Sequence, residues 1–231
     1  MPFSAVRFFS EPDDYAATVR GTKAEITVTG CGPFAARLTR IDLRHLWMQR
    51  FSESLPRVMH SATVGGRAII TFSTHPGPGM FRAGLEMRPT CILRLSEGDN
   101  AFHRSTGAAR WGAMSLPVEA MVLAGAEVGG CDLAPPRATR SVTPQAAAMA
   151  RLQHLHAAIA QLAEHAPATF SRPEAVHSLE QSLVGAMICC LSEAAGSADT
   201  LALQHQGLIM RRFRRALELH RDQPVYIPEL C

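Results

Sequence analysis

The chain has 231 residues, 47% of them hydrophobic, and a formal net charge of +3. That is enough apolar material for one sizeable core or two modest ones, and too small a charge excess to argue for nucleic-acid binding from composition. No apolar run approaches the roughly 20 residues that span a bilayer, and residues 1–9 lack the charged start and long apolar core of a secretory signal, so the expectation is a cytoplasmic protein without a membrane partner.

Residues 12–20 are expected to form a short helix capped by Ser10, with Asp13 and Asp14 complementing the helix dipole in its first turn. Residues 24–29 alternate at period two and run into Gly30, Cys31, Gly32 and Pro33, a strong breaker. Residues 34–43 set Phe34, Ala36 and Leu38 on one face, with Arg37 and Thr39 on the other. Segments 45–51 and 55–63 read as further strands. Paired glycines at 65 and 66 supply the positive φ of a hairpin turn and lead into a strand over 68–73 that aligns Ile70 and Phe72. After a stiff loop over 75–79, short strands are expected at 85–87, 90–95, 101–105 and 110–116, and Pro117 opens a helix. Many short strands at this spacing predict a β-barrel or sandwich.

Beyond Pro144 the period becomes helical. Ala148, Leu152, Leu155, Ile159 and Leu162 form one seam. A second helix from Pro173 to Ala195 aligns Val176, Leu179, Leu183 and Met187, and a short connector predicts an antiparallel hairpin. Leu152, Leu155, Ile159, Leu162, Leu179, Leu183 and Met187 are the dimerisation candidates, although pairing within one chain would use the same surface. A linker follows, then a basic helix over 208–219 with Arg211, Arg212, Arg214 and Arg215 as candidate phosphate contacts. The expected division is therefore 1–140, 141–196, a linker 197–204, and 205–231. The fold class is α+β: a cupin-like barrel or sandwich, a helical hairpin and a basic C-terminal helix.

Enzymatic motifs are absent: there is no nucleophile elbow, phosphate loop, dinucleotide fingerprint or zinc helix. His154 and His156 diverge on their helix. His60, His75 and His103 could converge in a barrel, but no ligand spacing supports a metal, so no metal and no cofactor is expected. The six cysteines show no pairing or metal spacing and read as reduced and mostly buried. Trp47, Met48, Phe72, Trp111 and Met114 lie on strand-like segments and either line a small-molecule pocket or fill the core.

The run RRFRRALELHRDQPVYIPELC resembles the opening of the DNA-binding domain of AraC/XylS-type transcription regulators. GPFAARLTRIDLRHLWMQRFSESLPRVMHS, RAIITF and RWGAMSLP resemble the sensor half of one subgroup. The resemblance implies a sensor domain for an unknown effector, a homodimerising hairpin and promoter DNA as partner, and it implies no enzyme. The recognition helix and second helix-turn-helix unit expected from it are missing from the sequence, so no sequence-specific DNA binding is expected of this chain. Two other readings stay open: a cupin-like small-molecule enzyme, and a dimerisation or decoy subunit without DNA binding.

Overall fold

Ala36–Asp42 (β3) is buried on both faces: Ala36 and Leu38 belong to one apolar cluster, and Ile41 belongs to another. A strand covered on both sides lies in a middle layer. The computed structural model describes residues 2–77 and 79–193, and these form three layers around β3 and its neighbours. The chain runs through Phe3–Phe9 (β1), Pro12–Thr18 (α1), Thr22–Val28 (β2), β3, Trp47–Glu53 (β4), Arg57–Thr63 (β5) and Arg67–Ser73 (β6). Met80–Arg82 (β7), Leu85–Glu86 (β8), Ile92–Arg94 (β9), Asn100–Ser105 (β10) and Ala109–Pro117 (β11) follow. Val118–Ala124 (α2), a π-type turn Gly125–Gly129 and Arg140–Val142 (β12) lead to the long helices Ala146–His165 (α3) and Pro173–Glu193 (α4), which are linked by a 3-10 turn Pro167–Ser171.

Every strand pairing is antiparallel. Seven strands form one sheet in the order β1-β3-β4-β11-β6-β9-β12, and five form a second in the order β2-β5-β10-β7-β8. The α+β class is confirmed, with the strands arranged as two facing sheets rather than a closed barrel. One apolar cluster fills the space between the sheets, from Tyr15, Leu38, Phe51, Met59, Leu93 and Trp111. The other joins the outer face of the seven-stranded sheet to α3 and α4, through Met48, Ile70, Phe72 and Met114 on the sheet and Leu152, Ile159, Leu183 and Met187 on the helices. Burying each of the larger side chains fully contributes about 1.5–3 kcal/mol, so packing on the sheet adds to packing between the helices in holding the hairpin. The window Pro173–Ser192 is long and apolar enough to cross a membrane, with a mean hydropathy of 1.2. One side of this helix packs into the core, while Glu174, His177, Ser178 and Gln181 face outward.

Several expectations change. Gly65 and Gly66 do not make a hairpin: Gly66 has φ +83, but β5 pairs in the five-stranded sheet and β6 in the seven-stranded one. The glycines turn a corner between layers, because Met59 and Ser61 must face Ile69 and Thr71 across the interior. Gly30 makes a similar corner, its Cα lying so close to Pro56 that an added Cβ would sit 2.7 Å from the ring. Glu11, not Ser10, occupies the N-cap position of α1, and no side chain caps that helix. β1, β7 and β12 are strands that the sequence reading missed. Sheet pairing therefore continues to Val142, just beyond the boundary expected at residue 140.

Candidate functional site

Residues on one strand alternate between faces, and the register fixes which of them look between the sheets. Trp47, Gln49 and Phe51 on β4 are level with Ser115, Ala113 and Trp111 on β11, and Ala113 is level with Thr71 on β6. These side chains face Met59 and Ser61 of β5 and His103 of β10 across a cavity of about 360 Å³. Its mouth lies by Arg20, Trp47, Val64 and Arg67; its inner end is built by Phe51, Trp111, His103 and Arg82. Phe51 and Trp111 stack there, with ring centres 3.7 Å apart and planes 11° from parallel.

Both Arg20 and Arg67 stack on Trp47 at the mouth, 3.4 and 3.5 Å from the ring centre. Two guanidiniums that close need opposite faces of the indole, so the ring is held edge-on between charges. Arg20 pairs with Asp42, which also accepts from Arg40 at 3.0 Å. Arg67 has no carboxylate partner among the described residues. It donates to Ser115 Oγ at 3.0 Å, the Ser115 carbonyl at 2.7 Å and the His45 carbonyl at 2.6 Å. Burial, with the Arg20 charge adding to it, pulls its pKa down to about 10, and Asp42 only partly offsets this.

Deeper inside, Arg82 is held by Asp99 through two bonds of 3.1 and 2.8 Å, by Ser61 Oγ at 3.0 Å, and by His103 Nε2. Burial lowers the Arg82 pKa, and Asp99 opposes the shift. Since Arg82 donates to Nε2, the neutral His103 ring carries its proton on Nδ1. Burial and then the Arg82 charge hold the His103 pKa well below the usual histidine range. His103 Nδ1 and Thr71 Oγ1 are buried and have no hydrogen-bond partner. Beneath the inner end, Glu53 accepts from Tyr15 at 2.7 Å, Trp111 at 3.1 Å and Arg57 at 2.9 and 3.2 Å.

Of the pocket candidates, Trp47 and Trp111 face this cavity, whereas Met114 borders it but, level with Met48 and Ile70, belongs to the cluster under the helices. Met48 and Phe72 do not line it: both sit in the same cluster, and Phe72 packs edge-on against His156. Trp47 and Met48 are adjacent on one strand and so cannot share a face. The sequence reading missed Arg20, Arg67, Arg82, His103 and Thr71 as lining residues; the alternation phase set by Trp47 and Trp111 is the signal that could have found Thr71. Of the hairpin candidates, Leu152, Ile159, Leu183 and Met187 are buried within the chain, and Leu155, Leu162 and Leu179 pack partly against the same core. Arg211, Arg212, Arg214 and Arg215 lie outside the described residues.

His60 and His103 do not converge. His60 lies on the outer face of its sheet, bonded to Asn100 Oδ1 at 2.5 Å, while His103 faces inward. Among the described residues, no group of three His, Cys, Asp or Glu side chains could hold a metal ion. The cavity offers hydrogen-bond donors, aromatic faces and positive charge, which suit binding a small molecule.

No family model matches the sequence, and no curated protein is recognisably similar to it. Among solved structures, the chain is similar over its full length to the AraC-like transcriptional activator CuxR, covering 83% of that protein at 12% identity with a TM-score of 0.55. It therefore shares the fold of an AraC-like activator. Weaker likenesses are to an RmlC-like cupin from Shewanella frigidimarina (10% identity, 41% of this chain and 85% of that one, TM-score 0.23) and to vicilin from Corylus avellana (9% identity, 62% and 50%, TM-score 0.19).

Proposed function

We propose that this chain is the effector-sensing part of a cytoplasmic AraC-type transcription regulator, not an enzyme, and that the cavity between the sheets takes the effector. The observation that carries the reading is the cavity itself. It combines about 360 Å³ of space, aromatic walls and two unpartnered buried polar atoms, within a fold shared with an AraC-like activator. The sheet half, residues 1–140, senses; the hairpin, residues 141–196, passes the bound state onward; 197–204 link these to 205–231, which begin the DNA-binding region. In that region Arg211, Arg212, Arg214 and Arg215 would touch phosphates, giving salt-sensitive binding without sequence preference. The regulator acts as a homodimer in this reading, through surface other than the seven seam residues.

A metabolite screen by thermal shift is the test, since a ligand that binds only the folded state raises the melting temperature by mass action. A cavity ligand that changes transcript levels in the source cell and is recovered chemically unchanged supports the proposal. Turnover of that ligand by the purified protein would overturn it in favour of a cupin-like enzyme.

A further inference from the structure

The cavity walls carry a charge pattern that narrows what they can accept. The lining includes Arg20, Arg67 and Arg82 and no carboxylate. Arg82 is neutralised by Asp99, and Arg20 shares Asp42 with Arg40, so Arg67 is the guanidinium at the mouth whose bonds all go to neutral acceptors. Glu97 stands nearby, accepting from the Gly66 amide at 2.6 Å, and is not part of the lining. A half-buried cation whose bonds all go to neutral acceptors, and whose nearest carboxylate, Asp42, already pairs with Arg20 and Arg40, attracts an anion, because charge-assisted hydrogen bonds are about twice as strong as neutral ones. Deeper in, Thr71 on β6 and His103 on β10, from opposite sheets, both line the cavity at 3% and 1% exposure, and each carries a polar atom without a hydrogen-bond partner. His103 Nδ1 can only donate in this tautomer. Along the cavity the walls also include Ile69, Leu95 and Ala113, which are apolar, and the stacked pair of Phe51 and Trp111, which is flat.

Taking the effector reading above as given, we propose that the cavity selects a small organic anion with a flat apolar body, its charged group on Arg67 beside Trp47 and a hydrogen-bond acceptor at its inner end on His103 Nδ1 and Thr71 Oγ1. Cations are rejected by the mouth arginines, and a neutral ligand offers Arg67 only an uncharged acceptor, a weaker bond. An acid without an inner acceptor leaves the polar atoms of His103 and Thr71 unsatisfied.

Calorimetric titration of the full chain with three probes tests this: 4-hydroxyphenylacetate, its uncharged amide, and phenylacetate, which lacks the inner acceptor. The hydroxy acid is expected to bind about tenfold or more tighter than the amide, the scale of one charge-assisted hydrogen bond. It should also bind more tightly than phenylacetate, and Thr71→Val should reduce that second difference. Arg67→Gln should erase the acid-over-amide preference, while Arg67→Lys should keep part of it. The ratio is read within each variant, so a change in the stability of Arg67→Gln does not obscure it. Equal affinity for acid and amide, or an unchanged preference in Arg67→Gln, would overturn the anion assignment while amide binding still showed an occupied cavity. Failure of all three probes at millimolar concentration overturns the proposal as stated; failure of the wider screen is what would sink the effector reading.

Discussion

Glu53 ties Tyr15, Trp111 and Arg57 into one buried group, and Glu53 and Arg57 are both fully inaccessible. Burial, then the Glu53 charge, push the Tyr15 hydroxyl well above its usual pKa. Removing one partner of a buried ion pair strands the other, so Glu53→Gln should lower stability by about 3–5 kcal/mol in urea unfolding. Replacing Glu53 and Arg57 together by leucine should recover part of that loss, because no charge is then left unpaired although Tyr15 and Trp111 lose their acceptor; a double variant more unstable than the single one would contradict this. Histidines give a second prediction. Burial, then the Arg50 charge, depress the His156 pKa to about 3, although its bond to the Gln49 carbonyl favours the charged form; His103 is depressed as well. The folded state then binds fewer protons than the unfolded chain below pH ~6.5, the ordinary histidine value. Stability is fully present above that value; His156 makes it fall towards pH 3 by about 1.4 kcal/mol per pH unit, and His103 acts in the same direction. Stability measured at pH 7, 6 and 5 should show this slope, and His156→Gln should remove one proton's share of it. At this scale the sequence was partly legible. Trp47 and Trp111 could be marked as pocket residues because large aromatics on alternating strands must face some core. Arg67 and Arg82 could not, because a buried arginine is recognisable only through partners such as Asp99 that lie distant in sequence.

Elements meet where a residue gives way. His156 of α3 sits over Gly112 of β11, where an added Cβ would lie 2.8 Å from the imidazole and 3.2 Å from Phe72. The ring cannot move aside without breaking its 3.2 Å bond to the Gln49 carbonyl, so Gly112→Ala should cost about 1–3 kcal/mol by overpacking. An unchanged unfolding midpoint would show that α3 is seated more loosely than this geometry implies. On the neighbouring helix of the hairpin, Glu180 of α4 accepts from the His45 and Leu46 amides at 2.9 and 3.4 Å, while the His45 carbonyl accepts from Arg67. One peptide turn thus touches both the cavity mouth and the second helix. Glu180→Ala is expected to destabilise α4 and to weaken binding of a cavity ligand held by Arg67, since whatever ties the turn to α4 also positions that guanidinium. Unaltered ligand affinity in a folded Glu180→Ala protein would separate the two contacts. The elements themselves were largely readable from period and punctuation, down to Pro117 opening α2 and Pro173 opening α4. Their pairing was not. Gly65 and Gly66 are equally suited to a hairpin and to a corner between sheets, and only the need to bury Met59 and Ile69 against the same interior selects the corner.

For the whole molecule, the question is which surface remains after the chain has packed against itself. The seam from Leu152 to Leu162 and its partners on α4 looked equally able to join two chains or two helices. In the fold they cover the outer face of the seven-stranded sheet, a surface whose existence the helical period could not reveal. A homodimer, which the proposed function requires, must therefore use other residues. The outward sides of α3 and α4 are largely polar, with Arg151, His154, Gln161, His177, Ser178 and Gln181 exposed. Close to α4, however, α2 and the π-type turn expose Leu123 at 59% and Val128 at 65%. Two charged substitutions then separate core from contact surface. Leu183→Glu places a carboxylate where the side chain is fully buried, and it should abolish cooperative unfolding and near-ultraviolet dichroism instead of releasing a folded monomer. Leu123→Glu, already in water, should leave unfolding stability within about 0.5 kcal/mol of wild type. If sedimentation finds a wild-type dimer, Leu123→Glu should weaken it in proportion to how much of the contact α2 supplies. A folded, monomeric Leu183→Glu protein would reverse this assignment, because it would mean that the helical seam joins chains and that the hairpin does not need the sheet beneath it.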